Sequence, residues 1–211
     1  MLGTAFQIKN IARRRWGIVF AASLVTILSF GSASRADATS AQQVSAAESH
    51  ALAGPAVPPT QWVYIRSFLS DLNLGVSGSS PNNGAPIIQW KREGKQDQAW
   101  KFIKPTSSST SSYIVNAGTS SWKAMGVSGG SKANGGKIIQ WDYLGVADQI
   151  WRLEEVGTNS YQKIYYRLVN LNSDKCLAVP NGATTPVQAI QWDCSYNRPD
   201  QWWFLPPWPA S

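Results

Sequence analysis

The stretch Ile87-Ile88-Gln89-Trp90, followed by Asp97-Gln98-Ala99-Trp100, decides how this chain folds, because it occurs three times. The second copy is Ile138-Ile139-Gln140-Trp141 with Asp148-Gln149-Ile150-Trp151. The third is Ala189-Ile190-Gln191-Trp192 with Asp200-Gln201-Trp202-Trp203. The Gln-Trp pairs lie 51 residues apart both times, and each Asp-Gln-x-Trp closes ten or eleven residues after its Gln-Trp. Upstream, each copy holds an apolar-x-Val: Leu74-Gly75-Val76, Met125-Gly126-Val127 and Leu177-Ala178-Val179. Each opens on a Tyr-led run: Tyr64-Ile65-Arg66, Tyr113-Ile114-Val115 and Tyr166-Arg167-Leu168-Val169. Four features in one order at near-constant spacing define an internal repeat, with units at about 62–105, 112–156 and 161–206.

Within a unit the apolar runs are short, and turn clusters separate them (77–84, 128–136 and 181–186). No segment holds a helical period. The reading is all-β. One unit of four short strands has exposed edges and half a core, whereas three can pool their apolar faces and close the sheet. Trp100, Trp151 and Trp203 are therefore expected in the core. Gln98, Gln149 and Gln201 offer a donor and an acceptor to pin neighbouring backbone.

Three Gln-x-Trp units of this size resemble the ricin B-type lectin repeat, and the resemblance covers about 62–206. It implies a β-trefoil with pseudo-threefold symmetry and a carbohydrate-binding function. Spacing alone gives only a three-unit closed β structure. The resemblance places stacking rings at Trp90, Trp141 and Trp192, although the same rings could simply cover their hairpins. It also expects an upstream Asp, where this chain has Gly75, Gly126 and Ala178, and an Asn before Gln-x-Trp, where it has Asp97, Asp148 and Asp200. These carboxylates can accept hydroxyl protons but cannot donate. Cys176 and Cys194, the only cysteines, match the family's positions for a disulfide. Two free thiols as metal ligands are the alternative, but they lack further donors, and no metal or cofactor is expected.

The first 38 residues read as an export signal. Lys9 and Arg13 to Arg15 precede an apolar run from Gly17 to Phe30, and Ala36-Asp37-Ala38 ends the segment. An uncleaved membrane anchor is the alternative, but the run is short for a bilayer. Residues 39–61 read as an Ala-, Ser- and Pro-rich linker and 207–211 as a tail. The net charge of +7 is concentrated at the start: beyond residue 38, 14 bases face 11 acids. With no basic stripe, nucleic acid is not the expected partner.

The only histidine, His50, falls in the linker, so no Ser-His or Cys-His pair forms, and adjacent Glu154 and Glu155 on a strand point to opposite faces. The sequence thus predicts a secreted, monomeric, non-catalytic protein that binds glycans containing galactose, xylose or arabinose. The alternative is an inhibitor-type trefoil that binds protein and has lost its sugars.

Overall fold

The structure, a computed structural model, describes residues 56–209. The expected export signal, His50 and most of the expected linker lie outside these residues. Thirteen strands form one sheet, and among the described residues there is no α-helix. Unit 1 contributes β1 (Arg66–Ser67), β2 (Asn73–Val76), β3 (Ile87–Trp90) and β4 (Trp100–Ile103). Unit 2 contributes β5 (Ser111–Asn116), β6 (Ala124–Val127), β7 (Ile138–Trp141) and β8 (Ile150–Thr158). Unit 3 contributes β9 (Ile164–Asn170), β10 (Cys176–Ala178), β11 (Val187–Gln188), β12 (Ile190–Trp192) and β13 (Trp203–Phe204).

The outer strands of each unit close a six-membered barrel. β1 pairs with β13, β13 with β9, β9 with β8, β8 with β5, and β5 with β4. A bridge from Val63 to Trp100 joins β4 back to the strand leading into β1. The inner strands form three hairpins, β2–β3, β6–β7 and β10–β12, which meet as a cap. Pro86 bridges to Ile139, Lys137 to Ile190, and β11 pairs with β3, so each unit touches both others there. This is the β-trefoil that the resemblance implies, and closure leaves no long free edge.

The core repeats as the sequence does. Trp100, Trp151 and Trp203 are fully buried, each with Leu74, Met125 or Leu177 and Val76, Val127 or Val179 of its own unit. Each indole N–H donates to a backbone carbonyl of its own upstream strand: Leu74, Met125 and Leu177 respectively. Gln98, Gln149 and Gln201 behave as their chemistry suggests. Each accepts from one backbone N–H (Glu93, Leu144, Ser195) and donates to one carbonyl (Lys91, Asp142, Asp193), which fixes the loop after each Gln-Trp. Cys176 and Cys194 are disulfide-bonded, closing the β10–β12 hairpin. A loop of this length contributes about 3 kcal/mol in the chain-entropy account.

The domain is wider than the repeat pattern. The Ala56 N–H bonds to the Leu153 carbonyl and Pro58 is buried, although the sequence places both in the linker. Pro207 bridges to Val63, the Trp208 N–H bonds to the Trp62 carbonyl, and the Trp208 ring lies 4.7 Å from that of Tyr64. These flanks carry no repeat signature, and the barrel's backbone groups hold them.

Candidate functional site

Each cap hairpin presents its Gln-Trp indole outward. Trp90, Trp141 and Trp192 are 37%, 41% and 38% exposed, while Gln89, Gln140 and Gln191 beside them are fully buried. Strand alternation explains the split, since neighbouring residues face opposite sides of the hairpin. The buried amides hold the units together. Gln89 Nε2 donates to the carbonyls of Ala183 and Thr185, Gln140 to those of Ser80 and Asn82, and Gln191 to those of Ser131 and Ala133. Each unit thus grips the loop of the one before it, with unit 1 gripping unit 3. The sequence shows these glutamines as markers; their role needed the third dimension.

In unit 1 the indole overlooks a hollow of about 360 Å³, walled by Gly75 to Ser79 on one side and by Trp90, Glu93, Lys95 and Asp97 on the other. The Trp90 N–H donates to Glu93, which also pairs with Lys95 at 2.9 Å, so the ring is held in orientation. These hydrogen bonds, from Lys95 first and then Trp90, lower the Glu93 carboxyl to about 2. Asp97 moves the other way. Desolvation by burial raises its carboxyl, opposed by a hydrogen bond from Ser79 at 3.1 Å. Ser79 adopts a left-handed conformation (φ 50°), whereas the equivalent positions in units 2 and 3 are Gly130 and Gly182. A serine kept where glycine is easier, with its hydroxyl on the carboxylate, marks this hollow.

The glycines at the family's Asp position have a spatial reason. A Cβ on Gly75 would come 2.9 Å from Gln98 Cγ and 3.1 Å from Asp97 Oδ2. At Gly126 the corresponding approaches are 3.1 Å to Gln149 Cγ and 3.4 Å to Asp148 Oδ2. The Asp97 and Asp148 carboxylates, on the opposite wall, therefore border the space that a side chain at these two positions would enter.

The surroundings of the three Gln-Trp indoles, called hollows below after the unit 1 cavity, are not equivalent. Unit 2 keeps Trp141 and Asp148, whose carboxyl is also raised by burial. Leu144 and Val146 stand where unit 1 has Glu93 and Lys95, so the polar frame around the ring is absent. In unit 3, Arg198 engages both oxygens of Asp200 at 3.1 and 3.0 Å, and Asp200 is buried. The sequence groups Asp200 with Asp97 and Asp148 as an acceptor; the structure instead commits it to an ion pair. Arg198 sits just before the short turn that carries Asp200, where a Lys or a Val precedes the turn in the other units.

Two loop asparagines, Asn83 and Asn134, bond across the boundaries between units. Asn83 bonds Asp142 and Lys123, and Asn134 bonds Asp193, which pairs with Lys175. Hydrogen bonds from Lys123 and Lys175, then from the asparagines, lower the carboxyls of Asp142 and Asp193. These groups fasten adjacent units. Glu154 is likewise engaged, by Arg152 and Arg167. Among the described residues no group of three or more His, Cys, Asp or Glu could hold a metal ion.

The family described as "Ricin-type beta-trefoil lectin domain" matches residues 61–203. The chain belongs to that family. Its members' defining activity is carbohydrate binding, which the match supports in general terms. Among solved structures, the designed threefold-symmetric protein ThreeFoil is 28% identical with a TM-score of 0.59, covering 68% of this chain and 96% of its own. An exo-β-1,3-galactanase from Clostridium thermocellum is 27% identical with a TM-score of 0.61; the match covers 72% of this chain but only 31% of the enzyme. A ricin B-like lectin of Macrolepiota procera, solved with lactose, shares the fold at 18% identity and a TM-score of 0.55, covering 72% of this chain and 99% of its own. No curated protein matches by sequence.

Proposed function

We propose that this protein is a secreted, non-catalytic lectin that binds extracellular polysaccharide, with the unit 1 hollow as its principal site. One observation carries the reading: Trp90 is exposed and locked by Glu93 beside the Asp97–Ser79 pair in an open hollow. A pyranose has an apolar C–H face and a rim of hydroxyls. The indole suits the face, and the Asp97 carboxylate can accept from two hydroxyls. The unit 2 hollow offers the ring and Asp148 without the polar frame, and the unit 3 hollow offers the ring alone. Single sites of this kind are weak, and several on one rigid body gain strength against a polymer. Galactose-, xylose- and arabinose-containing polymers are the ligands to try first.

Affinity electrophoresis against galactan, xylan and arabinoxylan tests this. Trp90→Ala should weaken binding about tenfold, a loss of ~1.4 kcal/mol, and Trp192→Ala should cost less. The absence of binding to all three polymers by the unaltered protein would remove the proposal. The engaged Asp200 favours a second reading for unit 3, as a surface that contacts protein rather than sugar.

A further inference from the structure

Unit 2 breaks the threefold pattern at one turn, and the break is unfavourable to the fold. After the first strand of units 1 and 3, the turn is closed by Ser67 N–H to Leu72 O and by Asn170 N–H to Lys175 O. In unit 2 the equivalent bond runs from Asn116 N–H to Lys123 O, so the turn is two residues longer. The residue before the closing position is Asp71, Trp122 or Asp174, and all three are left-handed, with φ of 59°, 48° and 54°. Aspartate tolerates that conformation through local hydrogen bonding, whereas a bulky aromatic there is strained. The longer turn also loses a hydrogen bond. Ser70 and Ser173 hydroxyls donate to Gln89 and Gln191 Oε1, whereas Gln140 Oε1 is buried without a partner.

The same turn delivers an exposed ring to the surface. Trp122 is 47% exposed and meets Trp62 edge-on, with centroids 6.0 Å apart and planes at 81°. Lys101 Nζ stands over both rings, 5.7 and 6.0 Å from their centroids. Among the described residues Lys101 forms no ion pair. Neither of the other units has this corner, because it needs both the inserted turn and Trp62 from the segment before the first unit's strands. Strain and a lost hydrogen bond, kept beside the exposed Trp122 ring, the half-buried Trp62 ring and a cation without a counter-ion, have the character of a ligand site.

We propose that Trp62, Trp122 and Lys101 form a fourth carbohydrate site, separate from the three hollows, that takes an anionic sugar such as a uronic acid residue. The apolar face of the pyranose lies on the Trp122 indole, and the sugar carboxylate reaches the Lys101 ammonium. A neutral sugar would fill the ring surface but leave the cation without its counter-charge. This site does not rest on the function proposed for the hollows.

Titration of the mature protein with polygalacturonate and with a neutral galactan tests it, using Trp122→Asp, Lys101→Gln and the triple variant Trp90→Ala/Trp141→Ala/Trp192→Ala. Trp122→Asp installs the residue found at the two equivalent turns, so its melting temperature should not fall. Its affinity for polygalacturonate should drop on the order of tenfold, with galactan binding unchanged. Lys101→Gln should show the same selective loss and a flatter salt dependence, and the triple variant should keep polygalacturonate binding. The site is refuted if Trp122→Asp binds polygalacturonate as the parent does. It is refuted equally if the triple variant loses that binding, or if polyglutamate binds as well as polygalacturonate. Failure of the parent to bind galactan would count against the hollows alone.

Discussion

Glu93 and Asp97 are four residues apart in one hollow, and their carboxyls are shifted in opposite directions. Glu93, held to about 2 by Lys95 and Trp90, stays ionised through mild acid and keeps the ring oriented. Asp97, raised by burial, takes up its proton at a higher pH than the 3.8 of an ordinary aspartate. Protonation removes an acceptor from the sugar rim, so affinity at this hollow should begin to fall before pH 3.8 is reached from above. The indole contact should persist throughout. A pH series of galactan titrations reads this directly, and Asp97→Asn should flatten the profile. At this scale the sequence gives Trp90 and Asp97 as candidates because both recur in register. Glu93 and Ser79 do not recur, so repetition is silent about them. Arg198 is equally invisible, since nothing along the chain shows that it turns onto Asp200.

At the scale of elements, the hairpin cap depends on the buried glutamines between units. Gln191 makes three side-chain hydrogen bonds, with Ser131 O, Ala133 O and the Ser173 hydroxyl. Gln140 makes two, and its Oε1 has no partner. Leucine at either position takes the amide donor from two carbonyls at part-buried bonds, a loss of about 1–3 kcal/mol. Gln191→Leu should therefore lower stability by about 2–3 kcal/mol and Gln140→Leu by about 1 kcal/mol less, measured by urea unfolding. Short strands separated by turns were readable from the apolar runs and turn clusters of each unit, whereas the trefoil arrangement came from the family resemblance. The glutamine contacts were not readable, because they join residues some 58 to 60 positions apart, or 94 to 96 across the closing seam.

At the scale of the whole molecule, the three units share one main core, beside a small second cluster at Tyr113, Val115 and Ala124 that the half-buried Trp62 and Ile103 of unit 1 help to cover. Threefold repetition in the sequence made the closed architecture legible, and the family resemblance supplied its name. The limits of the domain were less legible. Residues 56–61 and 207–208 carry no motif, and they are held mainly by backbone bonds and by Pro58 and the Trp208 ring. Those contacts also bring the two ends of the barrel together: Val63 bridges Pro207, and the Tyr64 N–H bonds to the Pro206 carbonyl. The ring of units consequently has no privileged starting point. A chain joined by a short linker from Pro209 to Ala56 and reopened near Ser108, between the first two units, should fold to the same barrel. Matching circular dichroism and an unchanged galactan titration would establish this cyclic equivalence. Neighbouring ends also let such a barrel be spliced into a surface loop of another protein with little disturbance to either partner.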